Sequence, residues 1–123
     1  MYGNAAARAY KRVDLESAPK TQIVERLFDR FARDVEDTRA ALAKKDIEAK
    51  AKAINHASAI VLQLKIALDH KVAPDMCSNL ESLYNYVIAQ LAECNVKLST
   101  RPLDNAARVM AGLGDAFKKA HAK

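Results

Sequence analysis

Residues 79–94, NLESLYNYVIAQLAEC, repeat their apolar side chains at spacings of three and four. At about 100° of rotation per residue, Leu80, Leu83, Tyr84, Val87, Leu91 and Cys94 fall on one stripe, the pattern of an amphipathic helix with one side in a core. Tyr86 does not belong to that stripe and points roughly 120° away from it. The chain has only four tyrosines, and this one stands on the outer side of a helix. A single surface aromatic is ordinary. A contact surface for another molecule is the sharper reading, and the remainder of the chain has to choose between the two.

The same periodicity extends outward from this stretch. The chain has 123 residues, half of them hydrophobic, with three Gly and three Pro. That composition suits one domain of long helices with short connections and a core that needs no disulfide. Pro19 suits the first position of a helix, where its missing N–H would be unbonded in any case. From there Ile23, Leu27, Phe31, Val35, Thr38 and Leu42 form a stripe flanked by Val24 and Phe28, ending near Lys44 and Lys45, cations suited to a helix C-terminus. Asp46 reads as the cap of a second helix whose core side is Ile47, Ile54, Ala57, Val61, Leu64 and Leu68, running to about Asp69.

Pro74 and Asp75 open the third helix, which holds the opening stretch and closes near Leu98. Ser99 and Thr100 offer caps, and Pro102 begins a fourth helix with Leu103, Ala106, Met110, Leu113, Phe117 and Ala120 on its stripe. Gly112 and Gly114 each weaken that helix by about 1 kcal/mol relative to Ala, and would be offset by close approach of a neighbouring backbone. Residues 1–17 form an N-terminal arm with Tyr2, Tyr10 and Val13 as its apolar anchors. The expectation is an all-α fold: the arm, then an antiparallel four-helix bundle over residues 18–123.

Several chemistries are excluded by residue type and spacing. A di-iron bundle needs Glu-x-x-His pairs, but Ala53, Ala67 and Lys118 stand three residues before His56, His70 and His121. A phosphotransfer histidine with a Lys three residues on is not found either: Ala59 and Ala73 hold those places after His56 and His70. No Cys-x-x-Cys, glycine-rich phosphate loop or serine elbow occurs. Cys77 and Cys94 share a helix about 25 Å apart in rise, far outside disulfide reach, and read as free packing thiols. No catalytic, cofactor or metal site is expected. The net charge of +5 arises from 20 basic residues dispersed among 15 acidic ones, a solvated surface rather than a nucleic-acid interface. No segment has the ~20 apolar residues of a membrane span, and the N-terminus lacks a signal core, so a cytoplasmic protein without membrane insertion is expected.

The second helix carries more apolar residues than a core stripe needs. Over residues 57–69, ASAIVLQLKIALD, only Ser58, Gln63, Lys65 and Asp69 are polar. Relative to the core direction, Ile60 is turned about 90° to one side, Leu62 about 110° to the other, and Ile66 about 150°. A helix of a lone bundle keeps one wet side, so something must cover this surplus: the arm, a second copy or a client chain. The third helix adds Tyr86 and Ile88 beyond its stripe, and the two helices together describe a groove able to take an amphipathic helix.

In order and spacing, the sequence resembles the flagellar secretion chaperone family, FliS, over nearly its whole length. The matching residues are Met1-Tyr2, Ala9-Tyr10-x-x-Val13, Ala18-Pro19, Leu27-Phe28-Asp29, Lys50-x-x-x-Ile54, Ile60-Val61-x-x-Leu64, Leu68-Asp69 and Asn79-Leu80-x-x-Leu83-Tyr84-x-Tyr86-Val87. Departures include Arg30 where the family usually has Gly, Asn85 for an Asp and Phe117 for a Trp. The resemblance implies a bundle that binds the disordered C-terminal segment of flagellin, prevents its premature polymerisation and aids delivery to the gate of the flagellar type III export apparatus. It implies the export gate protein as a further partner, allows a co-chaperone, and gives Tyr10 and Val13 of the arm a part in docking. The expected contact residues are Tyr10 and Val13, then Ile60, Leu62, Leu64 and Ile66 on the second helix, and Tyr84, Tyr86 and Ile88 on the third. Two other readings stand beside it: a basic helical bundle for nucleic acid or an anionic surface, and a self-associating structural bundle that uses the same apolar faces.

Overall fold

The computed structural model describes residues 18–97 and 99–121, which run through four helices: α1 (Ala18–Lys44), α2 (Ile47–Ile66), α3 (Pro74–Lys97) and α4 (Thr100–His121). The arm, with Tyr10 and Val13, lies outside the described residues. Each helix packs on two neighbours: α1 on α2 and α4, and α3 on α2 and α4, while neither diagonal pair comes into backbone contact among the described residues. The cross-helix bonds fix the directions. Arg39 of α1 meets Asp104 of α4, and Asp29 meets Lys118, so one number rises as the other falls. Lys50 and Lys65 of α2 likewise meet Asn95 and Asn85 of α3. The result is the expected all-α, antiparallel, up-down-up-down bundle.

The α1–α2 junction shows how tightly the turns are made. Lys45 takes a left-handed φ of 57°, its N–H bonding to the Leu42 carbonyl at 3.1 Å and that of Asp46 to the Ala41 carbonyl at 2.9 Å. This pair of bonds is the Schellman stop of an α-helix, usually built with glycine at the left-handed position. Asp46 then caps α2, its Oδ1 accepting from the Ala49 N–H at 3.0 Å, as the sequence led us to expect. The longer α2–α3 connection is also fixed: Leu68 is buried, Asp69 Oδ1 accepts from the Lys71 N–H, and the Cys77 thiol donates to the Asp69 carbonyl at 3.3 Å.

The core is one cluster filled from all four helices and from Leu68. In α3 the buried stripe is Cys77, Leu80, Tyr84, Val87, Leu91 and Cys94, with Leu83 at its half-buried edge. In α1 the buried line is Val24, Phe28, Phe31, Val35 and Thr38; of the expected stripe Ile23 is corrected, being exposed, while Leu27 and Leu42 are half-buried and pack against the core. Ile47 is likewise exposed, because it sits in the first turn of α2 beyond the last packed layer. The second helix stops at Ile66, not Asp69. Gly114 does serve close packing, but of a side chain rather than a backbone: a Cβ there would stand 3.0 Å from the Phe28 ring. Gly112 meets nothing within 4 Å.

Lys45 gives a direct test of the junction. A left-handed residue with a side chain carries a conformational cost that glycine avoids, so Lys45→Gly should stabilise the bundle by about 1 kcal/mol. Asp46→Ala, which deletes the cap, should cost about the same. Thermal unfolding should separate the two variants by several degrees in opposite directions from the parent.

Candidate functional site

The contact residues expected from sequence divide into two groups. Ile60, Leu64 and Tyr84 are core: Ile60 is 4 % exposed, and Leu64 and Tyr84 are fully buried. As members of a contact surface these three are corrected, since they have no area left to offer. Ile60 lies well off the mean core direction of α2, yet it is covered because a bundle helix has neighbours on two sides and buries a wide arc. Burial also pushes the Tyr84 phenol well above its ordinary range.

Leu62, Ile66 and Tyr86 are surface, 46 %, 62 % and 43 % exposed, and Ile88 is half-buried against the core. They do not form one groove. Lys65 Nζ donates to Asn85 Oδ1 at 2.7 Å across the α2–α3 seam, which marks the side of each helix that faces the other. Ile88 lies three residues after Asn85 on the same flank of α3, and Leu62 and Ile66 flank Lys65 on the outer side of α2. Tyr86 is turned about 100° from Asn85, toward the α4 side. That side is identified by Asn105 of α4, whose amide donates to Gln90 Oε1 at 3.0 Å. Leu83, three residues before Tyr86, lines a shallow recess there with Arg108, Val109, Gly112 and Leu113.

A third apolar surface was not anticipated. Between α1 and α4 an open recess of about 270 Å³ has Phe28, Phe31, Val35 and Met110 as its floor and Ala32, Ala107, Ala111 and Gly114 as its low walls. The Asp29–Lys118 pair stands at one end and the Arg39–Asp104 pair, with Glu36 beside it, at the other. The sequence signal was present in the small residues: Ala107, Ala111 and Gly114 recur at four and three beside the α4 stripe, so one edge of that helix has no side chains tall enough to close the seam.

The buried charged groups hold helices together. Lys50, buried, reaches the Asn95 carbonyl at 2.7 Å and satisfies one of the last carbonyls of α3, where a cation is favoured. His56 Nδ1 is 2.6 Å from Oδ2 of the buried Asp34, joining α2 to α1. Among the described residues no three His, Cys, Asp or Glu side chains gather as metal ligands would, and no helix is long and apolar enough to cross a membrane.

The arrangement is a four-helix bundle with spare apolar surface and with its buried polar side chains committed to structure. The chain matches the family model described as flagellar protein FliS over residues 2–123, and it belongs to that family. It is similar to the flagellar secretion chaperone FliS of Salmonella typhimurium, 28 % identical over 124 residues, covering 97 % of this chain and 92 % of the relative. It is 26 % identical over 126 residues to the flagellar secretion chaperone FliS of Escherichia coli, covering 97 % and 91 %. The flagellar secretion chaperone FliSB of Pseudomonas aeruginosa is 28 % identical over 114 residues, covering 89 % and 90 %. A secretion chaperone family is not an enzyme class.

Neither Cys77 nor Cys94 is in a disulfide, both are fully buried, and burial pushes both thiols above their ordinary range. They should therefore react with a thiol reagent at mildly alkaline pH only as fast as the bundle opens, and immediately once denaturant is added. Prompt labelling of either thiol in the folded protein would contradict the packing described for α3.

Proposed function

We propose that this protein is a cytoplasmic export chaperone for flagellin. It binds the disordered C-terminal segment of the client, keeps it from polymerising, and presents it to the gate protein of the flagellar export apparatus. The observation that carries the reading is the pair Leu62 and Ile66, two large aliphatic side chains a turn apart on the outside of α2, in a member of this family. Exposed apolar surface in a small bundle marks an interaction site. A client that is disordered before binding can also use separated surfaces, because it folds as it wraps. The α2–α3 seam, the Tyr86 shoulder and the α1–α4 recess suit such a client better than they suit one rigid helix. Ordering the client offsets part of the contact energy, which favours later release.

Tyr10 and Val13 are assigned to the arm's part in docking at the export gate, on the strength of the family resemblance. The proposed client-contact residues on the bundle are Leu62, Ile66, Tyr86 and Ile88. A co-chaperone is compatible with this reading, because the three surfaces lie on different sides of the bundle.

Two experiments test it. Ile66→Asp and Tyr86→Ala should leave stability within about 1 kcal/mol of the parent, as surface substitutions do. At least one should weaken binding of a flagellin C-terminal peptide by about 1 kcal/mol or more. Normal binding by both variants would remove these residues from the contact, and a parent protein that bound no such peptide would overturn the reading itself. Separately, deleting residues 1–13 should leave the bundle folded by circular dichroism while export of flagellin falls. Unfolding on truncation would instead make the arm part of the core.

A further inference from the structure

α1 carries three arginines, Arg26, Arg30 and Arg33, at spacings of four and three, all exposed. They fall within about 60° of the helix circumference and span about 10 Å along it. Arg30 locates this face: its Nη2 lies 3.4 Å from Nε2 of His56, so the strip forms the outer shoulder of the α1–α2 seam. Three of the nearby carboxylates are engaged elsewhere. Asp34 is buried against His56, Asp29 pairs with Lys118 across the opposite seam, and Glu36 pairs with Arg39. Among the described residues neither Arg26 nor Arg33 has an ion-pair partner. Asp37, one turn beyond Arg33, shares the face, and exposed Lys52 adds positive charge from α2.

We infer that this arginine strip is a docking surface for an acidic helix of a partner protein, one that presents carboxylates at the same three-and-four spacing. The guanidinium fork matches a carboxylate in two-point contacts, and Arg30 is already braced by His56, so less freedom is lost on binding. Ile23, exposed one turn before Arg26, gives such a helix an aliphatic contact at the end of the strip. A single narrow row of charges fits one helix, and it has no aromatic side chain on which a nucleic-acid base could stack. The chain's own arm is no match: over residues 1–17, Arg8, Lys11 and Arg12 outnumber Asp14 and Glu16. The strip is separate from Leu62 and Ile66: around α2, Leu62 is turned about 120° from His56, and Ile66 lies about 15 Å further along the helix. The inference therefore does not depend on the client-binding reading.

The test uses the full chain and a fluorescent, helix-forming peptide with glutamates at spacings of three and four and leucines one flank away. Arg26→Glu with Arg33→Glu should weaken its binding by at least about tenfold. Lys71→Glu with Lys119→Glu makes the same change in net charge elsewhere and should alter binding by less than about twofold. Thermal stability and binding of the flagellin peptide should be unchanged in both variants. Equal losses in the two variants would reduce the effect to bulk charge and overturn the inference. So would absence of peptide binding by the parent. Tighter binding of a short DNA duplex, or of phosphatidylglycerol vesicles, that disappears in the Arg26→Glu, Arg33→Glu variant would reassign the strip to a different partner and equally overturn it.

Discussion

α2 carries more apolar side chains than a helix with two neighbours can bury, and the rest of the molecule follows from how that surplus is divided. Ile54, Ala57, Ile60, Val61 and Leu64 enter the core together with Lys50, whose ammonium is taken up by the end of α3. Leu62 and Ile66 are left outside. Rotating α2 to bury Ile66 would withdraw residues on the other side of the core, at about 25 cal/mol for each Å² of apolar surface returned to water. No rotation buries everything. The exposed ridge is a consequence of filling the core from a helix that is apolar over most of its circumference.

Each of the four seams is pinned by a polar contact that fixes register as apolar packing alone would not. Asp34 and His56 join α1 to α2, Lys65 and Asn85 join α2 to α3, Gln90 and Asn105 join α3 to α4, and Arg39 and Asp104 join α4 to α1. The exposed ion pairs among these add little stability individually. Their use is to select one alignment of four helices whose stripes would tolerate others. With register fixed, the surfaces between seams are fixed as well: the ridge on α2, the shoulder at Tyr86, and the low-walled recess between α1 and α4.

Periodicity was enough to read four helices, their order, the Asp46 cap and most of the core, because each stripe is long and each junction short. It failed where position in the bundle matters more than angle. Ile47 sits in the first turn of α2, and Ile23 is turned about 100° from its buried neighbour Val24. Ile60 sits far from the mean core direction of α2 and is buried all the same, since α1 covers that flank. Tyr86 and Leu62 both point outward, but a helical wheel drawn for one helix at a time cannot say that they lean to different neighbours. The arginine strip escaped notice for the same reason. Its members are dispersed in sequence among acidic residues, and the pairing of Asp29, Asp34 and Glu36 with other partners leaves three arginines against Asp37 on that face.

The central claim is that the outer ridge of α2 is a client surface. Amide hydrogen exchange of the whole chain, with and without a saturating flagellin C-terminal peptide, tests it most directly. The account predicts added protection along α2 around Leu62 to Ile66 and on the facing flank of α3, with little change at the outer shoulder of α1. Protection confined to the Arg26–Arg33 shoulder, or unchanged exchange on α2 with the peptide demonstrably bound, would contradict it.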